Sequence, residues 1–477
     1  MSIPTLVLLE KGKETKRNIG FIDNITAILE GQPLKIKVTL SKVELEQAIT
    51  EAGLNDFNHL NAAKRIKVKR SIYELAKIDM AVFVYIISAT LDELPPETSI
   101  QVAVGERIAC GSKRVFDPQG FIGTTPNVSN YFYKTGKPYR LFGEDEFKRR
   151  ILINQRISFD SFTQGKSVFD KIKKNGYLYI EEMDDHPNRW KKDYQKSGMI
   201  NFISVHAIQT STEYLAEYFR QLNPVVKVFE NHLKSISPLR DFKKQKNSPV
   251  RIFFGALNRD DDFKDILPLI NETAKKYGNK LQFKILANKE LFDALEAQNK
   301  ILVGDPEVYN GQFVEYEKYV ETLNESDIAL LPLLDNEFNR AKSDLKFIEC
   351  AGAGVAVLAS PVVYSKNVKD GENGLIFKDK KEFVQKLNLL IDNREKRYEL
   401  ATAAYDYVKN NRLLSQHYEE RIDWYNELFE RLDELTTAAQ ARIDKIAPKF
   451  KDELPPDVKQ IEGKNKSNAE IIIPDTR

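Results

Sequence analysis

FNRAKSDLKFIECAGAGVAVLAS, Phe338 to Ser360, followed by Asp370-Gly371-Glu372-Asn373-Gly374, reads as loop, helix, glycine turn and buried strand. Upstream, the apolar run Asp327 to Leu334 (DIALLPLL) suits a parallel strand covered on both faces, and its carboxyl end feeds this loop. Open α/β sheets hold ligands at that edge. Ser343 reads as the N-cap, with Asp344 as the first helical residue and the first backbone N–H groups facing an anion. Lys342 and Lys346 are four apart and Glu349 is three beyond Lys346, so on a helix they fall near one face and lean toward its N-terminus. Two ammonium groups suit a diphosphate, and a carboxylate accepts from a vicinal diol such as the two ribose hydroxyls. Together they predict a site for a sugar nucleotide; the alternative is a surface helix with an ordinary lysine–glutamate pair. Gly352 and Gly354 then let the helix end in a tight turn before Val355 to Leu358 re-enters the sheet.

The order LLPL, FN..KS..K..E, GVAVLAS and DGENGLIF resembles the C-terminal half of group 1 glycosyltransferases with the GT-B fold. That resemblance implies an α/β architecture of two facing Rossmann-like domains, here with an extra N-terminal region and a polar C-terminal tail. It also implies that Asn339, Lys342, Ser343, Lys346 and Glu349 bind the nucleotide sugar. The family often carries two glutamates separated by seven residues, and Glu349 corresponds to the second. Ala341 stands at the first position, leaving Lys342 as the nearest charged substitute. An arginine and a lysine after an earlier strand usually hold the donor pyrophosphate. Here RIFFGA puts Ala256 at the arginine position, so Arg259 and Lys264 are the nearby stand-ins.

Composition narrows the class. With 42% hydrophobic and 30% charged residues, and 72 basic against 70 acidic side chains, the sequence is that of a globular protein with no global field favouring nucleic acid or membrane. Cys110 and Cys350 give neither a disulfide framework nor a metal-ligand spacing. The start, MSIPTLVLLEKGKETKR, lacks the order of a secretory signal, and no transmembrane segment is visible, so the expected location is cytoplasmic.

Along the chain, residues 1–95 form an accessory region with strand-like TLVLLE and LKIKVTL, helical VELEQAITEAG, and the proline-bearing LDELPPET at its end. Residues 96–242 alternate strands with helical segments: SIQVAV, ILIN, YLYIEE, FISV and VVKVFEN, as in a parallel sheet with crossover helices. Thr210 or Ser211 is expected to cap the helix that precedes VVKVFEN. A polar stretch at 243–248 reads as a hinge to the second domain, 249–411. Within it, Pro268 bends or begins a helix, and a single helix is expected over Lys381 to Asn410. The amphipathic segment 412–435 matches the helix that crosses back to the first domain in GT-B proteins, and 436–477 reads as an extended polar tail.

The expected activity is transfer of a sugar from a nucleotide-sugar donor to a carbohydrate, lipid-linked or protein acceptor, with Lys342 and Lys346 stabilising the leaving group as it gains charge. The resemblance further implies a retaining, metal-independent reaction with no cofactor beyond the nucleotide sugar as co-substrate. Glu181 to His186 (EEMDDH) invites a metal-site reading, but Asp184 and Asp185 are adjacent and diverge in an extended segment. His206 is a candidate base or acceptor contact, with a core histidine the commoner reading. Two rivals share the fold: a sugar-nucleotide epimerase, and a non-catalytic partner subunit that binds another protein through residues 1–95.

Overall fold

A computed structural model describes residues 97–105, 111–123, 125, 128–134, 140–242, 249–255, 260–304 and 314–453, together with the backbone of four strands between residues 5 and 38. Those strands, β1 (Thr5–Glu10), β2 (Lys13–Asn18), β3 (Ile22–Leu29) and β4 (Gln32–Val38), pair as two antiparallel hairpins. The expected helix VELEQAITEAG and the hinge at 243–248 lie outside the described residues. The chain divides into one unit of residues 1–229 and 414–477 and a second of 230–413. Residues 230–242, expected in the first domain, cluster with the second unit.

The first unit holds β5 (Thr98–Val104), β6 (Val128–Lys134), β7 (Arg149–Gln155), β8 (Leu178–Glu182), β9 (Ala207–Thr210) and β10 (Val226–Val228), all parallel in the order β10-β9-β8-β7-β5-β6. FISV is not one of these strands. Its first two residues end a short buried helix, Ile200–Ile203, and the next strand starts only at Ala207. An apolar run of four residues has no periodicity to separate the two outcomes. The cap of the next helix, Glu213–Arg220, is Thr212, whose hydroxyl accepts from Leu215 N at 3.3 Å, instead of Thr210 or Ser211.

The second unit carries β11 (Val250–Phe254), β12 (Leu281–Leu286), β13 (Lys300–Val303), β14 (Ile328–Leu331), β15 (Ala356–Ala359) and β16 (Leu375–Ile376), parallel in the order β13-β12-β11-β14-β15-β16. Strand alternation sorts its core into two layers. Ile252, Phe254, Ile328, Leu330, Ala356 and Leu358 share one cluster, and Phe253, Ala329, Leu331, Val357 and Ala359 share the other. Both faces are covered, which is why these strands read as continuous apolar runs. Pro268 lies in the first turn of the helix Leu267–Tyr277, where its missing N–H breaks no helical bond. The single helix expected over Lys381 to Asn410 is two, Lys380–Asp392 and Arg394–Asn411. Asn393 separates them, its side chain accepting from Lys396 N at 2.9 Å to start the second. Two parallel six-stranded sheets with crossover helices make this an α/β fold, the class expected from the sequence.

The C-terminal stretch belongs to the first unit. Tyr418, at the start of the Glu419–Glu430 helix, and Trp424, Tyr425 and Leu428 within it pack with Ile100, Val102 and Ile153 of the sheet. The tail expected from residue 436 is instead helical at first. Leu432–Ile446 buries Leu435, Ala439 and Ile443, a four-residue spacing that a polar composition obscured. No helix among the described residues is long and apolar enough to cross a membrane.

β8 ends in two glutamates that the pleat sends to opposite faces. Glu182 meets Arg114 Nε at 2.8 Å and Gln209 Nε2 at 2.6 Å. Glu181 is fully buried, and neither carboxylate oxygen has a well-formed hydrogen bond, although the Ile157 amide lies near. Burial, and then the charge of Glu182, raise its carboxyl well above the usual range. The folded chain therefore holds a proton that the unfolded chain releases above about pH 4.3, and stability falls as pH rises from there toward the folded value. Replacing Glu181 by Leu is expected to stabilise the protein by about 1–3 kcal/mol at neutral pH, because a poorly satisfied buried polar group is removed. In urea unfolding, the gap between variant and wild type should widen from pH 5 to pH 8; a constant gap would contradict a buried neutral acid.

Candidate functional site

The carboxyl end of β14 leads into a loop whose shape is set by side chains. Asn336 Oδ1 accepts from Asn339 N at 2.9 Å and caps the short helix Glu337–Arg340. Asn339 is buried, and its Nδ2 donates to Asp262 Oδ1 at 2.8 Å and to Leu334 O at 2.9 Å. Asp262 Oδ1 also accepts from Leu334 N at 2.8 Å. Asn339, expected to contact the ligand, thus spends its Nδ2 donors on fixing the loop.

The helix that follows is Leu345–Gly352, with Asp344 as its N-cap residue, one position later than the sequence suggested. Ser343 Oγ is 3.4 Å from Leu345 N and accepts from Asn231 Nδ2 at 2.7 Å. Asp344 receives a buried fork from Arg412, Nη1 to Oδ2 at 2.6 Å and Nη2 to Oδ1 at 2.9 Å, and a third bond from Asn367 Nδ2 at 2.7 Å. The helix closes at Gly354, whose φ of +67° needs glycine, and a Cβ there would come within 2.8 Å of Leu239 Cδ1.

In the first turn of this helix, Lys346 Nζ lies 3.0 Å from Tyr319 OH, 3.3 Å from Glu349 Oε2 and 4.2 Å from the centre of the Tyr319 ring. The Lys346 side chain is 32% exposed, whereas that of Glu349 is 5% exposed. Tyr319 OH donates to Glu349 Oε2 at 2.8 Å. Lys342 is half-buried, with its ammonium 4.1 Å from the centre of the Phe338 ring, itself 37% exposed. Lys346 and Glu349 are therefore brought together. Lys264 is held at the surface by Asp261 at 2.9 Å, and Arg259 lies outside the described residues.

Sequence reasoning missed Tyr319, Asp262 and Arg412. Tyr319 falls on the inward stripe of its helix, Tyr316–Asn324, and so reads as core. Asp262 and Arg412 give no spacing signal, since each partner is distant in sequence.

Among the described residues of the first unit, three of the four acids in the run, Glu182, Asp184 and Asp185, are paired with arginines. Arg156 Nε meets Asp184 at 2.7 Å and Arg156 Nη2 meets Asp185 at 2.8 Å. His206 precedes β9 and is buried: its Nδ1 accepts from Tyr179 N at 2.8 Å, and its Nε2 lies 3.2 Å from Thr436 Oγ1. Burial and then Arg442 push its pKa down to about 3, so it is a neutral core histidine.

Comparison with known proteins bears on the second unit. The model of a family described as glycosyl transferase-like matches residues 269–427. The match spans the Tyr319, Lys346 and Glu349 cluster, and it agrees with the group 1 resemblance read from the sequence. No curated protein sequence matches the chain. Among solved structures, the chain is similar to an S. aureus TarM mutant in complex with fondaparinux, α-GlcNAc-glycerol and UDP, at 15% identity and a TM-score of 0.42, over 59% of this chain and 55% of that one. It is similar to a glycosyltransferase from Rickettsia africae at 12% identity and a TM-score of 0.49, over 70% of this chain and 99% of that one. Anabaena HepE, in complex with UDP and glucose, gives 11% identity and a TM-score of 0.47, over 69% and 100%. The chain thus spans little more than half the length of the TarM structures.

The Arg412 fork on Asp344 fixes the tip of the Leu345–Gly352 helix. Arg412→Met leaves a buried carboxylate without its counter-charge and is expected to destabilise the second unit by about 3–5 kcal/mol in urea unfolding. Adding Asp344→Leu to that variant should recover most of the loss, because both charges then leave together.

Proposed function

We propose that the chain is a glycosyltransferase that moves a sugar from a nucleotide-sugar donor to an acceptor hydroxyl or amide. The observation that carries this reading is the Lys346–Glu349 pair near the start of a helix that follows the carboxyl end of a central parallel strand, inside the matched segment. In the transfer, the bond between the anomeric carbon and the diphosphate oxygen breaks, and that carbon bonds to the acceptor, which loses a proton. The departing diphosphate takes up negative charge. Lys346, supported by Lys342 and the helix N–H groups, stabilises that charge as it forms.

Glu349 suits the ribose hydroxyls as a hydrogen-bond acceptor. The reading includes a retaining, metal-independent course with the nucleotide sugar as the sole co-substrate, in the cytoplasm. The acceptor class, carbohydrate, lipid-linked or protein, stays open within it. A second reading, a donor-blind partner subunit, draws on Ala341, which is 1% exposed where the family often has a glutamate, and on a Glu349 already bonded within the protein.

Calorimetry with UDP-, GDP-, dTDP- and ADP-sugars separates these readings. The transferase binds one donor and hydrolyses it slowly, and Lys346→Ala weakens that binding by about tenfold or more through loss of a charge-assisted contact. Glu349→Ala should lower affinity as well. A chain that binds no donor is the partner subunit, and one that returns an isomerised sugar nucleotide is an epimerase.

A further inference from the structure

Tyr319 makes more contacts at this site than a space-filling core residue requires. Its hydroxyl accepts from Lys346 Nζ at 3.0 Å and donates to Glu349 Oε2 at 2.8 Å. The direction of both bonds is fixed, because an ammonium only donates and a carboxylate only accepts. Burial, and then the charge of Glu349, hold the phenol well above its ordinary range, so it keeps the proton it donates. Its ring lies 4.2 Å from the same ammonium. Glu349 Oε2 therefore receives two donors, Tyr319 and Lys346, which match its two lone pairs. Oε1 is the oxygen left to serve a ligand.

We propose that Tyr319 is a positioning residue of the donor site: its hydroxyl anchors Glu349 by Oε2, so that Oε1 receives the ribose 2′- and 3′-hydroxyls of a ribonucleoside diphosphate. The same phenol and ring hold Lys346 in the first turn of the helix. This inference rests on the donor-site reading above. It adds that recognition of the ribose depends on a residue of the neighbouring Tyr316–Asn324 helix.

The test measures binding of UDP, GDP and ADP, each beside its 2′-deoxy counterpart, to the full chain by calorimetry. Wild type should prefer the ribose form of one of them by about tenfold, the scale of one hydrogen bond to a charged acceptor. Tyr319→Phe keeps the ring and its packing but cannot donate, and its preference should fall below about threefold with the thermal midpoint little changed. 4-Aminophenylalanine at position 319 restores a donor and should restore the preference. It also serves as the deciding variant if Tyr319→Phe does not fold. Wild-type discrimination in Tyr319→Phe, or loss of discrimination in the 4-aminophenylalanine variant, overturns the assignment. A wild type that binds none of the three diphosphates instead overturns the donor-site reading itself.

Discussion

The buried fork between Arg412 and Asp344 ties the helix tip to both ends of the second unit. Arg412 lies two residues before the chain enters the first unit again, and Asn231 two residues after it leaves it. Arg412 Nη2 donates to Asn231 O at 2.8 Å, Leu233 N donates to Arg412 O at 2.9 Å, and Asn231 Nδ2 reaches Ser343. Both passages of chain thus converge on Asp344 and Ser343. A buried ion pair adds little net stability over a well-packed apolar pair, but it defines one geometry, because either partner left alone is costly. Here that geometry sets where the Leu345–Gly352 helix begins, and so where Lys346 and Glu349 stand.

From that anchor the site follows by helix periodicity. Lys346 and Glu349 are three apart, so their side chains share a face, and Tyr319 of the adjacent helix inserts beneath both. Cys350, the next residue, turns inward. Burial pushes its thiol up to about 12, which makes it an inert core group. Two consecutive residues on one helix thus divide between site and core by a rotation of about 100°.

This division also explains what was legible in the sequence. The sheets were, because residues such as Ile252 to Phe254 and Ile328 to Leu331 are apolar on both faces, and few other arrangements bury such runs. So was the pairing of Lys346 with Glu349, which needs only helix spacing. The loop-fixing role of Asn339, and those of Asp262 and Arg412, were not, because they arise from partners that only the fold brings close: 77 residues separate Asn339 from Asp262, and 68 separate Arg412 from Asp344. Helix starts shift by a residue or two where several neighbouring side chains could cap. Here Asp344 is the boundary residue although the Ser343 hydroxyl, which also accepts from Asn231, is the one that lies near Leu345 N.

The acidic run of the first unit turns on the same distinction between local pattern and distant partner. Glu181 and Glu182 are chemically alike and adjacent, yet the pleat of β8 gives Glu182 a set of side-chain donors and leaves Glu181 without one. Asp184 and Asp185, just past the strand, share the guanidinium of Arg156, whose φ of +52° is uncommon for a residue with a Cβ, and Asp185 also meets Arg189 at 3.4 Å. A hard cation needs several oxygens converging on one point. Here the pleat separates two of the carboxylates and Arg156 already spans the other two, so the charges are neutralised from the protein itself. Composition alone would have grouped the four acids; backbone geometry assigns them to three different surroundings.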